Sequence, residues 1–319
     1  VSAAGFTPAT GVPGVLNNGA LLQAEFSGGS FNVVDLQYTE VGSFTLQSSA
    51  LNFLGVPGLD IVGDDIIVGR FTPASLVIST TTDGEFDNTN IAGLVAYTYV
   101  GQRFSYDPAL RPSFEVTALN AYGSPTLNYT GAWAKLTAAS VTLSGPTADN
   151  VALGADGLTL MAVSYTQDPA SFVINDLGGG TIEFVFSDDD FVYSKDSNSQ
   201  VPPFNPQLDL VINDVTDADT ITNSGVTTLT PDGTSVEMRF GRLRMENAFG
   251  SELNDLVMNY HLEFYDLIGT TPFWTRHDDA DTTVFPGDIT AVPGNTAATA
   301  INPTLLPGKF DITLSAPLV

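Results

Sequence analysis

Oxygen-bearing side chains are concentrated in one short stretch of the chain, Asn213–Asp219. It follows the apolar alternation of Leu208–Ile212 and contains Asp214, Asp217 and Asp219. Ca²⁺ prefers six to eight oxygen ligands from carboxylates, amides, carbonyls and water. The stretch lacks the glycine and the closing glutamate of an EF-hand loop. The sequence therefore indicates either a Ca²⁺ site at these three aspartates or an acidic turn held by its own side chains.

Three further acidic clusters have weaker patterns. Asp60–Asp65 and Ser187–Asp190 are typical of solvated loops, because adjacent carboxylates repel one another unless they are exposed or bind a cation. Arg276–Asp281 contains His277, one of two histidines in the chain. A histidine beside carboxylates could act as a metal ligand or a general base. A polar loop in which Arg276 pairs with an aspartate is the interpretation that the spacing favours.

Arginines form one cluster, Arg239, Arg242 and Arg244. If Ser235–Glu246 is a single strand, Arg242 and Arg244 share one face and Arg239 lies on the other. Such arginines could bind a carboxylate or an anionic sugar in a bidentate manner. The pattern favours a structural role, in which they pair with nearby acids and hold neighbouring strands in register.

Aromatic side chains are the usual means of binding sugars, and Phe273-Trp274 is the best candidate. The pair follows Thr270–Pro272, at a predicted junction of loop and strand. We expect an exposed aromatic pair here, available to a ligand. No phosphate loop, nucleophile elbow or HExxH motif occurs. Nothing singles out two of the 36 acidic residues as the paired carboxylates of a glycosidase.

The elements that must position these residues are strands. Short apolar alternations are separated by clusters of Gly, Pro, Asn and Asp, a pattern typical of sandwiches and barrels. Two similar segments, Asn120–Ser124 and Asn247–Ser251, predict tight turns of hairpins. We therefore predict an all-β protein of two or three antiparallel β-sandwich (Ig-like) domains. The alternating runs are Ser43–Leu46, Leu76–Ser79, Phe114–Leu119, Thr181–Phe186, Leu208–Ile212, Ser235–Phe240, Tyr260–Tyr265 and Phe310–Leu314.

Composition shifts predict three regions along the chain. Residues 1–67 form an N-terminal arm and β-domain, which could be part of the next sandwich, and residues 68–201 form a β-sandwich domain. The Pro-rich segment Val201–Pro206 is the predicted linker, since three prolines cannot serve a central strand. Residues 207–319 form a further β-sandwich domain. The closing apolar alternation Phe310–Leu318 predicts a strand that continues into a longer polypeptide.

The charge balance excludes several classes of function. The 319 residues include 36 acidic and 10 basic ones, for a net charge of −26. Nucleic acids and anionic membranes require clustered cations, so neither is an expected partner. The absence of cysteine excludes disulfides, thiolate nucleophiles and cysteine-based metal sites. No apolar run reaches the ~18 residues of a membrane helix, so membrane insertion is not expected.

An ordered series of short segments extends over residues 40–281. The segments are Glu40–Leu46, Val68–Pro73, Tyr97–Gln102, Thr117–Ala121, Asn128–Gly131, Ala134–Leu136, Phe240–Arg244, Asn247–Ala248, Gly250–Leu253 and Asp278–Asp279. Together they resemble the C-terminal region of MshQ-like proteins, which belong to mannose-sensitive haemagglutinin type IV pilus systems. The resemblance implies an exported β-rich protein on a bacterial cell surface. It carries no catalytic residue over to this chain.

We therefore expect a non-catalytic extracellular protein, a structural or adhesive module of a pilus or surface filament. Its expected partners are other filament subunits or further copies of itself, joined through edge strands. One alternative is a carbohydrate-binding, lectin-like domain, with or without calcium, that recognises a surface glycan. A further alternative is a polysaccharide-active enzyme, which would require two carboxylates facing each other across a groove.

Overall fold

A computed structural model describes residues 1–19, 27–28, 30, 35–87, 97–167, 172–187, 189–251, 253–276, 298–306 and 309–314. Strands make up most of the regular structure among the described residues, and the helical segments there are short 3-10 turns. The predicted all-β class, with multiple antiparallel sheets, is therefore confirmed.

The described chain consists of short strands and three 3-10 turns. The first strands are β1 (Ser2–Thr7), β2 (Leu16–Asn17), β3 (Gln37–Tyr38), β4 (Gly42–Gln47), β5 (Ser49–Ala50), β6 (Ile61–Val62), β7 (Ile66–Phe71), β8 (Ser75–Thr82), β9 (Tyr97–Tyr99), β10 (Arg103–Phe104), β11 (Ser113–Leu119), β12 (Val141–Ser144) and β13 (Ala148–Leu153). They are followed by β14 (Leu160–Thr166), β15 (Phe172–Gly178), β16 (Thr181–Phe186), β17 (Asp190–Tyr193), β18 (Leu210–Val215), β19 (Thr227–Leu229), β20 (Glu237–Arg239), β21 (Gly241–Met245), β22 (Leu256–Ile268), β23 (Thr271–Arg276), β24 (Ala298–Leu306) and β25 (Lys309–Leu314). The 3-10 turns are Phe53–Gly55, Gly131–Trp133 and Ala138–Ser140.

Each predicted alternating run overlaps a strand, and Thr181–Phe186 coincides with β16. The tight turn predicted at Asn120–Ser124 is present, whereas no turn is assigned at Asn247–Ser251. Asn247–Ser251 lies in the connection of the β21–β22 hairpin. Asn120–Ser124 is a tight turn closed by a bond from the Asn120 amide to the Ser124 carbonyl, 2.8 Å. The turn closes a minimal hairpin, since Leu119 and Pro125 form an antiparallel bridge and the Thr126 amide donates to the Ala118 carbonyl at 2.8 Å.

One four-stranded sheet has the strand order β15-β16-β11-β8, with all neighbours antiparallel. Its inward positions alternate as the sequence predicts: Phe114 and Val116 of β11, and Ile182 and Phe184 of β16, are buried. The register places Phe114 opposite Phe184, and their rings stack with centroids 5.1 Å apart. Burial of a phenylalanine side chain contributes about 1.5–3 kcal/mol. This aromatic stack therefore holds two central strands together.

Two further sheets, β10-β17-β14-β13 and β12-β18-β19, pack with the first around one hydrophobic cluster. The buried residues of this cluster extend from Val41 to Phe240. The Pro-rich segment Val201–Pro206 lies against it rather than forming an exposed linker: Val201 is buried and Phe204 exchanges backbone bonds with Met238. The domain boundary predicted at residues 201–207 stays a prediction. A hydrophobic core shared across the boundary does not tell whether the two parts can fold independently.

The arginine-rich segment is divided between two sheets. Its first part, β20, pairs in parallel with β9. The chain then passes the buried Phe240 and continues as β21, which pairs with the long strand β22. The condition that Ser235–Glu246 is a single strand is therefore not met, since the segment forms two strands that are separated by the buried Phe240.

Strand β22 organises the C-terminal sheet. Its neighbours are β21 along one edge, and β23 and β25 along successive parts of the other, with β24 beyond β25. The predicted terminal run is therefore a paired strand over Lys309–Leu314, and residues 315–318 lie outside the described residues.

The N-terminal sheet has the order β1-β4-β7, so residues Ser2–Thr7 of the predicted arm form a paired strand. After β4 the chain makes an excursion, residues 49–67, that includes the two-stranded β5–β6 ladder and ends with the first two residues of β7, Ile66 and Ile67. We call this excursion the apolar hairpin, because its large apolar side chains are exposed.

Among the described residues, none of the helical segments has the length and apolar character needed to cross a bilayer.

Candidate functional site: a charged face on strand β22

Alternation along β22 places His261 and Glu263 on one face and the buried Tyr260 and Leu262 on the other. The register aligns Arg242 of β21 with Glu263, and Arg244 with His261. Trp274 of β23 is the register partner of Tyr265 on β22, on the same side of the strand as Glu263. We call Arg242, Arg244, His261, Glu263 and Trp274 the β22 charged face.

Glu263 is the centre of this face. Its side chain is buried, and its Oε2 accepts bonds from Arg242 Nε at 2.9 Å and Arg242 Nη2 at 2.7 Å. Its Oε1 lies 3.0 Å from His261 Nε2 and 3.7 Å from Arg244 Nη1. Desolvation by itself raises the pKa of Glu263, but the bonds from Arg242 and His261 and the charges of Arg242 and Arg244 outweigh it, so the pKa lies below its usual value. The carboxylate is therefore ionised and fully engaged as an acceptor.

Trp274 extends the face with an aromatic surface. The Arg242 guanidinium lies 3.6 Å from the Trp274 ring centroid, within cation–π distance. Tyr265 packs edge-on against the indole, with centroids 5.7 Å apart. An open groove of about 590 Å³ runs past Trp274 and is also lined by Lys195 and Gln200. It therefore presents the Trp274 ring, together with Phe240, beside hydrogen-bonding groups.

His261 borders a second, smaller cavity of about 370 Å³. The imidazole is buried, and its Nδ1 has no hydrogen-bond partner among the described residues. The nearest charged atom is Glu246 Oε1, 3.4 Å away. Buried polar atoms are normally hydrogen-bonded, so an orphaned imidazole nitrogen at a cavity wall is an unusual feature.

The predicted calcium stretch is held largely by bonds within the protein. Asp217 is buried; its Oδ1 accepts the amides of Asp219 at 2.8 Å and Ile221 at 3.0 Å, and its Oδ2 accepts the Tyr129 hydroxyl at 2.9 Å. Asp219 forms an ion pair with Arg70. Asp214 accepts two threonine hydroxyls, and these bonds hold its pKa below the usual value.

These three aspartates thus lie in an Asx-type turn whose oxygens have protein partners. Among the described residues, no group of three or more His, Cys, Asp or Glu side chains is arranged to hold a metal ion. Calcium binding at Asp214, Asp217 and Asp219 stays a prediction.

The remaining acidic clusters are separated in the structure. Asp60 accepts the Asn52 amide at 2.8 Å, and Asp65 accepts the Gln47 side chain. Asp189 is buried and accepts the Tyr165 hydroxyl at 2.8 Å, whereas Asp190 pairs with Arg103 at 2.9 Å. Asp188 and the His277–Asp281 cluster lie outside the described residues.

The arginines and aromatic residues follow the strand alternation. Arg239 is not on the β22 charged face: it pairs with Glu237 and stacks on Tyr97 and Phe264, with ring centroids 4.3 and 4.6 Å from its guanidinium carbon. Phe273 and Trp274 are adjacent in β23, so they point to opposite sides of the strand, and both are half-buried. The expected exposed aromatic pair is therefore not formed, and only Trp274 joins the charged face.

Sequence reasoning missed Glu263. The available signal was its spacing: His261 and Glu263 are two residues apart within an apolar strand, so two ionisable groups share one face of a sheet. The pairing of Glu263 with Arg242 could not be predicted, because the chain contains 36 acidic residues and only the strand register shows which of them lies opposite Arg242.

Two family models cover most of the chain. A model described as DUF6701, third domain, matches residues 40–240, and one described as DUF6701, fourth domain, matches residues 239–316. The chain belongs to the DUF6701 family. The two models meet where β20 ends and β21 begins, so in this DUF6701 chain the β22 charged face lies within the fourth-domain match. Searches of curated proteins and of solved structures returned no match.

Proposed function

We propose that this DUF6701 chain is a non-catalytic module of an extracellular bacterial surface structure, in which it docks against another subunit of a pilus or filament. The resemblance to MshQ-like proteins supports the pilus context. The observation that carries the proposal is the apolar hairpin. Its exposed large apolar side chains are Leu51, Phe53, Leu54, Val56, Leu59, Ile61, Val62, Ile66 and Ile67.

Many exposed large apolar side chains within one short segment point to a site of protein interaction, because large exposed apolar patches mark such sites. Leu54 is 83% exposed and Ile67 is 79% exposed, so neither contributes to the hydrophobic core. Burial of such side chains at a contact would stabilise it by about 25 cal/mol per Å² of apolar area removed from water. The hairpin is therefore well suited to be covered by a partner.

The hairpin leads into a strand at a sheet edge. In the order β1-β4-β7, strand β7 pairs with β4 and has no second neighbour among the described strands. An edge strand offers backbone amides and carbonyls to a further strand, and apolar side chains beside it supply specificity. Addition of a partner strand at β7 would therefore bury Ile66 and Ile67 together with the hairpin.

The charge of the chain favours a different subunit over a second copy. A net charge of −26 makes two copies repel one another at close approach. A less acidic subunit with an apolar strand meets no such barrier. We therefore assign the docking surface to another component of the assembly rather than to self-association.

The state of Glu263 is consistent with a non-catalytic role for the β22 charged face. Glycosidases require one carboxyl group with a raised pKa as general acid. On the β22 charged face, the pKa of Glu263 is instead lowered, and both of its oxygens accept bonds. An acceptor held in this way suits cohesion of the sheet rather than proton donation.

The test is a measurement of incorporation into sheared surface filaments by a bacterium that produces the full-length protein. Leu54→Lys and Ile67→Lys should reduce the amount of the protein in the filament fraction at least several-fold. Leu158→Lys is the matched control, since Leu158 is also 83% exposed but lies outside the hairpin. Unchanged incorporation of both hairpin variants, or retention of the wild-type protein inside the cell, would refute the proposal.

Glycan binding is the second candidate, favoured by the groove beside Trp274. Sugars stack on indole rings, and here Lys195 and Gln200 line the same groove. Binding of the purified chain to a glycan array should be lost in Trp274→Ala and retained in Trp133→Ala.

Calcium, proposed at Asp214, Asp217 and Asp219, would be the cofactor of such a glycan-binding domain. Thermal unfolding with Ca²⁺ and then with a chelator tests this, because a ligand of the folded state raises its stability.

A further inference from the structure

The tautomer of His261 follows from its contact with Glu263. The Glu263 carboxylate is ionised, since two arginines lie against it. It accepts a hydrogen bond from His261 Nε2 at 3.0 Å, so Nε2 carries the proton. In a neutral imidazole the other nitrogen, Nδ1, then presents a lone pair. His261 is also one of the residues that line the cavity of about 370 Å³.

A second electron-pair donor faces this nitrogen. Glu246 Oε1 lies 3.4 Å from His261 Nδ1, and the Glu246 backbone amide is fixed by a 2.8 Å bond to the Asn259 carbonyl. Two lone pairs at this separation repel unless a proton or a cation lies between them. His261 is buried, and its Nδ1 has no hydrogen-bond partner among the described residues.

The separation of the two atoms matches a tetrahedral metal ion. Zinc binds imidazole nitrogen at roughly 2.0–2.1 Å and carboxylate oxygen at roughly 2.0–2.2 Å, which at a tetrahedral angle places the two atoms about 3.3–3.5 Å apart. The His261–Glu263 contact also has the form found behind metal-bound histidines, whose second ring nitrogen donates to a carboxylate and is thereby oriented.

We propose that His261 Nδ1 and Glu246 form a binding site for a divalent transition metal ion such as Zn²⁺, with Glu263 as the positioning residue behind the imidazole. The described residues supply two protein ligands, so the remaining positions are open to water or to a ligand from a partner molecule. Arg244 also lines the cavity, but its guanidinium is directed at Glu263. The site does not depend on the docking role of the apolar hairpin.

The test uses the chain without an affinity tag, in a His277→Gln background that leaves His261 as the one histidine. Zn²⁺ is titrated by calorimetry in millimolar Mg²⁺, which occupies surface carboxylates. We expect one Zn²⁺ per chain, and at least tenfold weaker binding in Glu246→Gln and in His261→Gln. Glu237→Gln is the matched control, since its side chain is about as exposed as that of Glu246, 41% against 45%. The control should bind Zn²⁺ as the parent does.

Imidazole ¹⁵N spectra provide a second measurement. The metal-free protein should show the Nε2–H tautomer of His261, and Zn²⁺ should shift the Nδ1 resonance alone. Zn²⁺ affinity that is unchanged in Glu246→Gln would overturn the proposal. The proposal would also be overturned if His261 were an imidazolium at neutral pH and Zn²⁺ did not displace its Nδ1 proton. That proton would then bridge His261 Nδ1 and the Glu246 carboxylate in place of a metal ion. Glu246 is half-exposed, so its variant remains informative if His261→Gln fails to fold.

Discussion

Replacing Glu263 by glutamine is the most direct test of the β22 charged face. The substitution keeps the shape of the side chain and removes its charge. It also places an NH₂ group, which donates hydrogen bonds, where one carboxylate oxygen accepted them. The Arg242 fork loses its ionic partner, and His261 loses a charged acceptor. Arg244 loses little, because its nitrogen is 3.7 Å away and its side chain is 58% exposed.

The magnitude follows from burial and geometry. Breaking a fully buried ion pair costs about 3–5 kcal/mol, because one charge is left uncompensated. Arg242 is 38% exposed and can regain water, so we expect a smaller loss, about 2–3 kcal/mol, for Glu263→Gln. Arg244→Gln, on the same face, should cost at most about 1 kcal/mol, as exposed pairs do. The coupling between Arg242→Gln and Glu263→Gln should be about 1–2 kcal/mol.

Trp274 provides the assay. The chain has two tryptophans, so in a Trp133→Phe background urea unfolding can be followed by the fluorescence of the indole that contacts Arg242. With a urea dependence of about 2 kcal/mol per molar, a loss of 2–3 kcal/mol lowers the midpoint by about 1–1.5 M. A midpoint lowered by less than about 0.3 M, or a coupling energy near zero, would show that the ion pair does not stabilise this sheet.

Three further predictions concern backbone strain, a buried hydroxyl and pH. Gly179→Ala should cost about 1–2 kcal/mol because of its positive φ, whereas Gly180→Ala, whose new Cβ would lie 2.4 Å from a backbone oxygen, should cost at least about 2 kcal/mol more in denaturant unfolding. Tyr129→Phe should destabilise the chain by about 1–3 kcal/mol, since it removes the buried donor to Asp217, and equal midpoints would contradict this. Because the pKa of Glu263 is lowered in the folded state from 4.5, its contribution is present above that pH and is lost as pH falls through the folded value. The stability difference between wild type and Glu263→Gln should therefore shrink below about pH 4.5, and a constant difference down to pH 2 would count against the assignment.

The strands themselves could be predicted from the sequence. Alternation with a period of two residues is local, so the run Thr181–Phe186 is sufficient to indicate a strand with Ile182, Phe184 and Phe186 on its buried side. The turn at Asn120–Ser124 is local for the same reason, since Asn120 accepts the Tyr122 and Ser124 amides within its own segment. Such features depend on neighbours in the chain and not on the rest of the fold.

The candidate site could be predicted only in part. The arginine cluster was visible, and so was the expectation that it pairs with acids across a sheet. The break at Phe240, which sends Arg239 to one sheet and Arg242 to another, was not visible, because the local alternation continues through it. Phe273 and Trp274 point in opposite directions because they are adjacent in a strand. The sequence placed them at a junction of loop and strand, and the structure shows that both lie within β23.

The sequence by itself determined the all-β class, the positions of the strands with clear alternation and the acidic character of the chain, because these depend on residue type and local spacing. Tertiary structure alone decided which strands pair and in which register. A shift of one residue in the register between β21 and β22 would place the side chains of one strand on the opposite face of the sheet. The alignment of Arg242 with Glu263 and of Arg244 with His261 therefore exists only in the folded sheet. The orphaned His261 nitrogen and the carboxylate facing it follow from that register.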